Sequence, residues 1–146
     1  MAKILVIGGS GFLGSHVADT LTNQSHEVFI FDMVKSKYLS SSQKMIVGDI
    51  LDKKLIDESI SKVEYVYHFA AIADIKEAKD DPIESARFNI IGTLNILDAC
   101  KKFNIKRIIF SSSIYVYSNH GSFYRTTKQS CELFIENYLE EFNLNY

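Results

Sequence analysis

Three residues of this 146-residue chain have types and spacing suited to proton chemistry on a hydroxyl: Ser113, Tyr124 and Lys128. Tyrosine, with a reference pKa of about 10, is a poor base at neutral pH. A lysine ammonium beside it favours the phenolate. A helix that includes 124–128 places Tyr124 and Lys128 four residues apart on one face. Tyr124 is then placed to take the proton of a substrate hydroxyl, with Ser113 hydrogen-bonded to the same oxygen as its charge develops. The spacing alone carries little. The chain has 8 Tyr and 13 Lys (16 Lys+Arg, of which Arg87, Arg107 and Arg125 are arginine). Chance gives roughly 0.7 Tyr-x-x-x-Lys pairs in such a chain, if only residues on one helical face cooperate. The weight comes from position, because the pair follows residues 106–113, KRIIFSSS, an apolar strand that runs into Ser111, Ser112 and Ser113.

A second constellation says what such a base would work with. Residues 4–14 read ILVIGGSGFLG: an apolar strand, a glycine cluster and the start of an amphipathic segment. Gly8, Gly11 and Gly14 fit G-x-x-G-x-x-G, and Gly9, Gly11 and Gly14 fit the broader G-x-G-x-x-G. Such a turn lets the backbone approach a pyrophosphate and aims a helix N-terminus at it. Asp32 ends the next β-rich run, Glu27–Asp32, near the spacing expected of the acid that binds an adenosine ribose. A carboxylate there repels a 2′-phosphate, so the expected cofactor is NAD. Lys35 and Lys37 are read as a solvated loop. With NAD⁺ in place, its positive nicotinamide adds to the effect of Lys128 on Tyr124, and the carbon that bears the substrate hydroxyl can give up hydride.

The elements that must position these residues alternate along the chain. Strands are expected near 3–8, 27–32, 44–48, 64–70 and 106–112, and helices near 12–24, 52–61, 82–103 and 124–142. Alternation predicts parallel strands and right-handed crossovers: an α/β, doubly wound, Rossmann-like sheet with helices on both faces. Pro82 opens the third helix. Ile83, Ala86, Ile90, Leu94 and Leu97 form its expected core stripe, and Leu133, Phe134 and Tyr138 that of the last helix. The final residues, Leu144–Tyr146, stand where a sixth strand would start. The reading is therefore one domain, 1–146, cut before or within the sixth strand and lacking a C-terminal substrate domain.

Composition excludes several classes. A net charge of −2, with 23% charged residues, gives no electrostatic case for nucleic acid. No apolar run approaches the roughly 20 residues of a membrane span. The N-terminus leads straight into the first strand, so no secretory signal is expected. Cys100 and Cys131 fit reduced residues of a cytoplasmic protein. His16, His26, His68 and His120 are scattered, without partners at metal spacing. Neither a nucleophile elbow nor a phosphate-binding P-loop motif occurs.

Taken in order, GGSGFLG, Asp32, Gly48-Asp49-Ile50, His68-Phe69-Ala70-Ala71, Asn89 in FNIIGT, Ser111–Ser113 and Tyr124/Lys128 resemble the N-terminal part of an extended short-chain dehydrogenase/reductase. The resemblance is to the NAD-dependent epimerase/dehydratase family and covers essentially the whole chain. It implies that Gly8, Gly11, Phe12, Leu13 and Gly14 meet the cofactor. It also implies that Asp49 and Ile50 contact adenine, that Ala70 and Ala71 line the cofactor channel, and that Lys128 binds ribose. Asn89 is implied only as a supporting residue behind the cofactor site. The substrates implied are nucleotide sugars, as for a UDP-hexose 4-epimerase. A homodimer through helices 82–103 and 124–142 is implied as well. Dehydratase members carry Asp-Glu after the catalytic Ser or Thr. Ile114 and Tyr115 stand there instead, which favours epimerase or simple oxidoreductase chemistry. Two departures bear on the substrate. The connection from Ser113 to Tyr124 is short, and Ser118 replaces a usual glycine. Reduction of a small carbonyl compound is the near alternative, and a non-catalytic NAD-binding or dimerisation module the distant one.

Overall fold

A computed structural model describes residues 1–146. Five strands, β1 (Lys3–Ile7), β2 (Glu27–Asp32), β3 (Lys44–Val47), β4 (Tyr65–His68) and β5 (Arg107–Phe110), form one sheet in the order β3-β2-β1-β4-β5. Every pairing is parallel. The helices are α1 (Phe12–Asn23), α2 (Lys53–Ile60), α3 (Ile75–Asp80), α4 (Pro82–Ala86), α5 (Gly92–Lys102) and α6 (Ser122–Phe142). The register positions the site. Ile7 is level with Phe31 on one side and His68 on the other, and His68 is level with Phe110. The residues that follow, Gly8, Asp32, Phe69 and Ser111, therefore emerge side by side along one carboxyl edge.

Strand alternation divides the core in two. Ile4, Val6, Val28 and Ile30 pack with Ala18 and Leu21 of α1 on one face. Leu5, Ile7, Phe31, Val66 and Ile108 pack on the other face with Ile56 and Ile60 of α2, Ile96 and Leu97 of α5 and Ile135 of α6. Fully burying one such side chain contributes about 1.5–3 kcal/mol. Both cysteines are buried and free. No helix is long and apolar enough to cross a membrane.

Three sequence expectations need correction. Helix α3 was not expected. Its six residues are mostly polar and show no apolar stripe, but the Asp74 carboxylate accepts from the Lys76 and Glu77 amides and starts it. The expected helix 82–103 is a composite. Pro82 does open it, with Asp81 as cap, but Arg87–Ile91 forms a wide π turn between α4 and α5. That turn rotates the inward face. The buried residues are Ser85, Asn89, Thr93, Ile96 and Leu97, whereas Ile83 points to solvent. In α6 the inward residues are Thr127, Lys128, Cys131 and Ile135, and Leu133 and Phe134 are exposed. Beside these apolar residues the inward faces carry polar ones where the π turn and α6 pack against each other beneath the site. Residues 143–146 form no strand, and the Ile108 amide donates to the Asn145 carbonyl at 2.9 Å along the free edge of β5.

Candidate active site and dinucleotide groove

A cleft of about 250 Å³ opens at the carboxyl edge, lined by Gly8, Gly11, Asp32, Met33, Gly48, Ile50, Ala70 and Ala71 among others. A second cavity of about 190 Å³ shares Gly8, Gly11, Phe69 and Ala71 with it. It runs on past Phe12, Leu13 and Gly14 to Ser111, Tyr124 and Lys128. The two make one elongated groove, with Asp32 toward one end, Tyr124 and Lys128 at the other, and the glycine turn between.

Each glycine of the turn has a distinct physical reason. Gly8 has φ +81°, and a Cβ there would stand 2.5 Å from the Ala70 amide nitrogen. A Cβ on Gly14 would strike the Gly8 carbonyl and the Gly9 backbone, so this glycine lets α1 sit on the turn. Gly9 packs against Ile30 and the Val6 carbonyl. Gly11 is different. A Cβ there would meet only the Gly8 carbonyl oxygen at 3.4 Å and would otherwise project into the groove. Its bareness serves whatever occupies the groove, not the fold. Helix α1 starts at this point without an acid in its first turn and, unlike α2, α3 and α4, without a side-chain cap. Its free N–H groups are left for an anion. These features fit a dinucleotide pyrophosphate.

Asp32 closes the same turn. Its carboxylate accepts from the Ser10 amide at 3.0 Å and the Val34 amide at 3.2 Å. Each oxygen keeps a second acceptor position, which suits ribose hydroxyls and opposes a phosphate. NAD is therefore expected to bind at least about tenfold more tightly than NADP, with the margin lost in Asp32→Asn. Titration of the reduced cofactors by fluorescence checks both statements.

At the other end, the Lys128 ammonium donates to the Ser111 carbonyl at 2.7 Å and lies 4.4 Å from the Phe110 ring centre. Burial lowers its pKa to about 8, opposed by Cys131 and Glu132. Tyr124 is half-buried, with the Tyr115 ring edge-on at 6.5 Å. Burial raises the Tyr124 pKa, the Ser113 hydroxyl lowers it, and Tyr115 raises it. In the unliganded protein Tyr124 is thus a neutral phenol. Ser113 Oγ also accepts from the Tyr115 amide at 3.3 Å, starting a 3-10 turn over 114–117.

Behind the groove lies a buried polar cluster. Asn89 reaches from the π turn in both directions. Its Oδ1 accepts from the Ile72 amide at 2.8 Å, and its Nδ2 donates to the Ile72 carbonyl at 3.1 Å and Thr127 Oγ1 at 3.0 Å. Asn89 does not line the groove. It ties the Ala70–Ile72 wall to α6. Asp49 likewise does not line the groove, although Gly48 and Ile50 on either side of it do. Its Oδ1 accepts from the Leu51 amide. His68 Nε2 and Thr93 Oγ1 are 2.9 Å apart, while His68 Nδ1 is buried without a partner. Burial, then Lys128, lowers its pKa from 6.5 to about 3. Between those values the unfolded chain takes up a proton that the folded chain refuses, so stability falls as pH drops below 6.5. A loss of about 2 kcal/mol by pH 5 is expected from this group. Urea titrations at pH 7 and 5 should show that loss reduced in His68→Gln.

The structure therefore gathers Gly8, Gly11, Phe12, Leu13, Gly14, Asp32, Ile50, Ala70, Ala71, Tyr124 and Lys128 on one groove, with Ser113 beside Tyr124. Sequence reasoning missed Met33, Phe69 and Thr127. Only the pairing register and the helix packing bring them in.

Fold and groove together define a Rossmann-type dinucleotide-binding domain. The chain belongs to the NAD-dependent epimerase/dehydratase family, whose model matches residues 4–146. It is similar to the UDP-glucose 4-epimerase of Yersinia enterocolitica, with 35% identity over 128 residues covering 79% of this chain and 37% of that one. Among solved structures, it superimposes on UDP-glucose 4-epimerase from Brucella ovis in complex with NAD. That match has TM-score 0.92 and 31% identity, and covers 100% of this chain and 50% of the other. UDP-glucose 4-epimerase with UDP-glucose from Thermotoga maritima gives TM-score 0.92 and 30% identity, covering 97% and 52%. The chain thus spans about half the length of these solved relatives and 37% of the Yersinia sequence.

Proposed function

We propose that the chain is the NAD-binding and proton-transfer part of a nucleotide-sugar 4-epimerase acting on a UDP-hexose. One observation carries this reading: Tyr124 and Lys128, with Ser113 beside Tyr124, stand at one end of the groove whose other end is Asp32. The solved relatives described with NAD and with UDP-glucose support it. NAD, when bound, accepts a hydride from the substrate carbon and returns it. Around it, Asp32 holds the adenosine ribose, the Gly8–Gly14 turn and the N-terminus of α1 hold the pyrophosphate, and Lys128 holds the second ribose. Tyr124 takes the hydroxyl proton, and Ser113 hydrogen-bonds the same oxygen. In this reading the remaining substrate contacts come from a C-terminal part outside residues 1–146. The protein acts in the cytoplasm as a homodimer through α4–α6, where Ile83, Ile91, Leu133 and Phe134 are exposed.

The test is interconversion of UDP-glucose and UDP-galactose with NAD present. No interconversion by the protein with its C-terminal part attached would overturn the assignment. One observation favours a second reading: a single 3-10 turn joins Ser113 to the start of α6, leaving Ile114 and Tyr117 in solvent. So short a connection suits reduction of a small carbonyl compound. Oxidation of NADH by such compounds, without UDP-hexose interconversion, would select it.

A further inference from the structure

Helix α6 carries Tyr124, Lys128 and Glu132 at successive four-residue steps, stacked along one side. Two of them grip the segment that ends in Ser113. Lys128 Nζ donates to the Ser111 carbonyl at 2.7 Å, and Glu132 Oε1 accepts from the Ser112 hydroxyl at 2.5 Å. A hydrogen bond to a carboxylate is shorter and stronger than one between neutral groups. No other side chain bonds Ser112, and the next residue is Ser113. The rest of this segment is held by Ser111 N–H to the His68 carbonyl, Val116 N–H to the Ser113 carbonyl, Tyr115 N–H to Ser113 Oγ and Gln129 Nε2 to the Val116 carbonyl.

We propose that Glu132 is a positioning residue, which locks Ser111–Ser113 in register on α6 through Ser112 so that the Ser113 hydroxyl faces Tyr124, and whose carboxylate balances the Lys128 ammonium. The groups facing that ammonium are Tyr124, Cys131 and Glu132 from α6, His68 from β4, and the Ser111 carbonyl and Phe110 ring at the end of β5. Glu132 is the only carboxylate among them. Its effect on Lys128, like that of Cys131, opposes the lowering by burial. The inference gives a role to a residue of the site read above as catalytic, but its test needs neither substrate nor cofactor. The two readings therefore fail separately.

The test uses the full 146-residue chain and three variants: Ser112→Ala, Glu132→Ala and Glu132→Gln. Two quantities are measured: amide exchange at Ser111 and Val116, and the Lys128 titration midpoint from the ¹³Cε shift of labelled lysine. The bond and the charge should separate. Ser112→Ala and Glu132→Ala should exchange roughly five- to tenfold faster at both amides, whereas Glu132→Gln, which keeps an acceptor, should stay near wild type. The Lys128 midpoint should remain at about 8 in Ser112→Ala and fall in both Glu132 variants. Wild-type exchange in Ser112→Ala and Glu132→Ala would overturn the positioning role. A midpoint shift in Ser112→Ala as large as in Glu132→Gln would also overturn the proposal, because it would report general loosening. An unshifted midpoint in Glu132→Gln would remove the charge-balancing role.

Discussion

Tyr124→Phe should bind NAD as the parent protein does and lose about 10³-fold in turnover. The substitution removes one oxygen and leaves the ring. Its edge-on contact with Tyr115 and its place 5.9 Å from Lys128 Nζ are kept, so neither the start of α6 nor the groove wall should move. What is lost is the group assigned to take the hydroxyl proton once bound NAD⁺ adds its positive charge to that of Lys128. His68 is buried one layer below and does not take up a proton until about pH 3. Lys128 is held to the Ser111 carbonyl. Because burial raises the Tyr124 pKa in the free protein, kcat/KM should climb with pH as the phenol ionises. Lys128, with its pKa at about 8, should lose its supporting charge over the same alkaline range and flatten the climb. Steady-state rates between pH 6 and 10, with cofactor titrations on both proteins, check this. Turnover within threefold of the parent would take Tyr124 out of the proton step.

The second large effect is a contrast between two glycines three residues apart. Gly14→Ala should destabilise the protein by about 3 kcal/mol, lowering the melting temperature by roughly 10 °C, because its Cβ has no room against the Gly8 carbonyl and the Gly9 backbone. Both are backbone, so neither can swing aside. Gly11→Ala should leave the melting temperature within about 2 °C, since its Cβ meets one atom at 3.4 Å. Yet it should weaken NAD binding by at least about tenfold, because the methyl group fills the space reserved for the pyrophosphate. Thermal melts and NADH titrations of both variants decide it. Equal melting temperatures for the two, or unchanged NADH binding by Gly11→Ala, would refute the division of labour between packing and ligand approach.

Much of this site is legible in the chain because it is local. The strand, glycine turn, helix, strand and acid of 3–32 follow each other within one βαβ unit. Each reports on its neighbour through turn chemistry and apolar patterning. Tyr124 and Lys128 are legible for the same reason, since they lie one helical turn apart. The parallel order of the sheet also follows from the alternation of apolar strands with amphipathic segments.

What patterning misread are the inward faces of α4–α5 and α6. Apolar stripes at 83/86/90/94/97 and 133/134/138 point to a core. The structure keeps Leu97 in the core with Leu94 and Tyr138 packed against it, but also buries Ser85, Asn89, Thr93, Thr127 and Lys128 on these faces. Two causes lie outside the local sequence. The π turn over Arg87–Ile91 adds a residue to one turn and rotates everything before it. The buried polar residues also find their partners at long range. Asn89 meets Thr127 across 38 positions and Ile72 across 17.

The amino-acid sequence by itself determined the fold class, the glycine turn, the acid that closes it and the Tyr–Lys pair, because each depends on residues close in the chain. The tertiary structure alone decided which residues share the groove, that Asn89 and Asp49 are not among its lining, and that burial holds Tyr124 as a neutral phenol. It alone placed Glu132 against Ser112. Those facts depend on pairing register, on a rotated helix face and on burial, all of which arise when distant segments pack together.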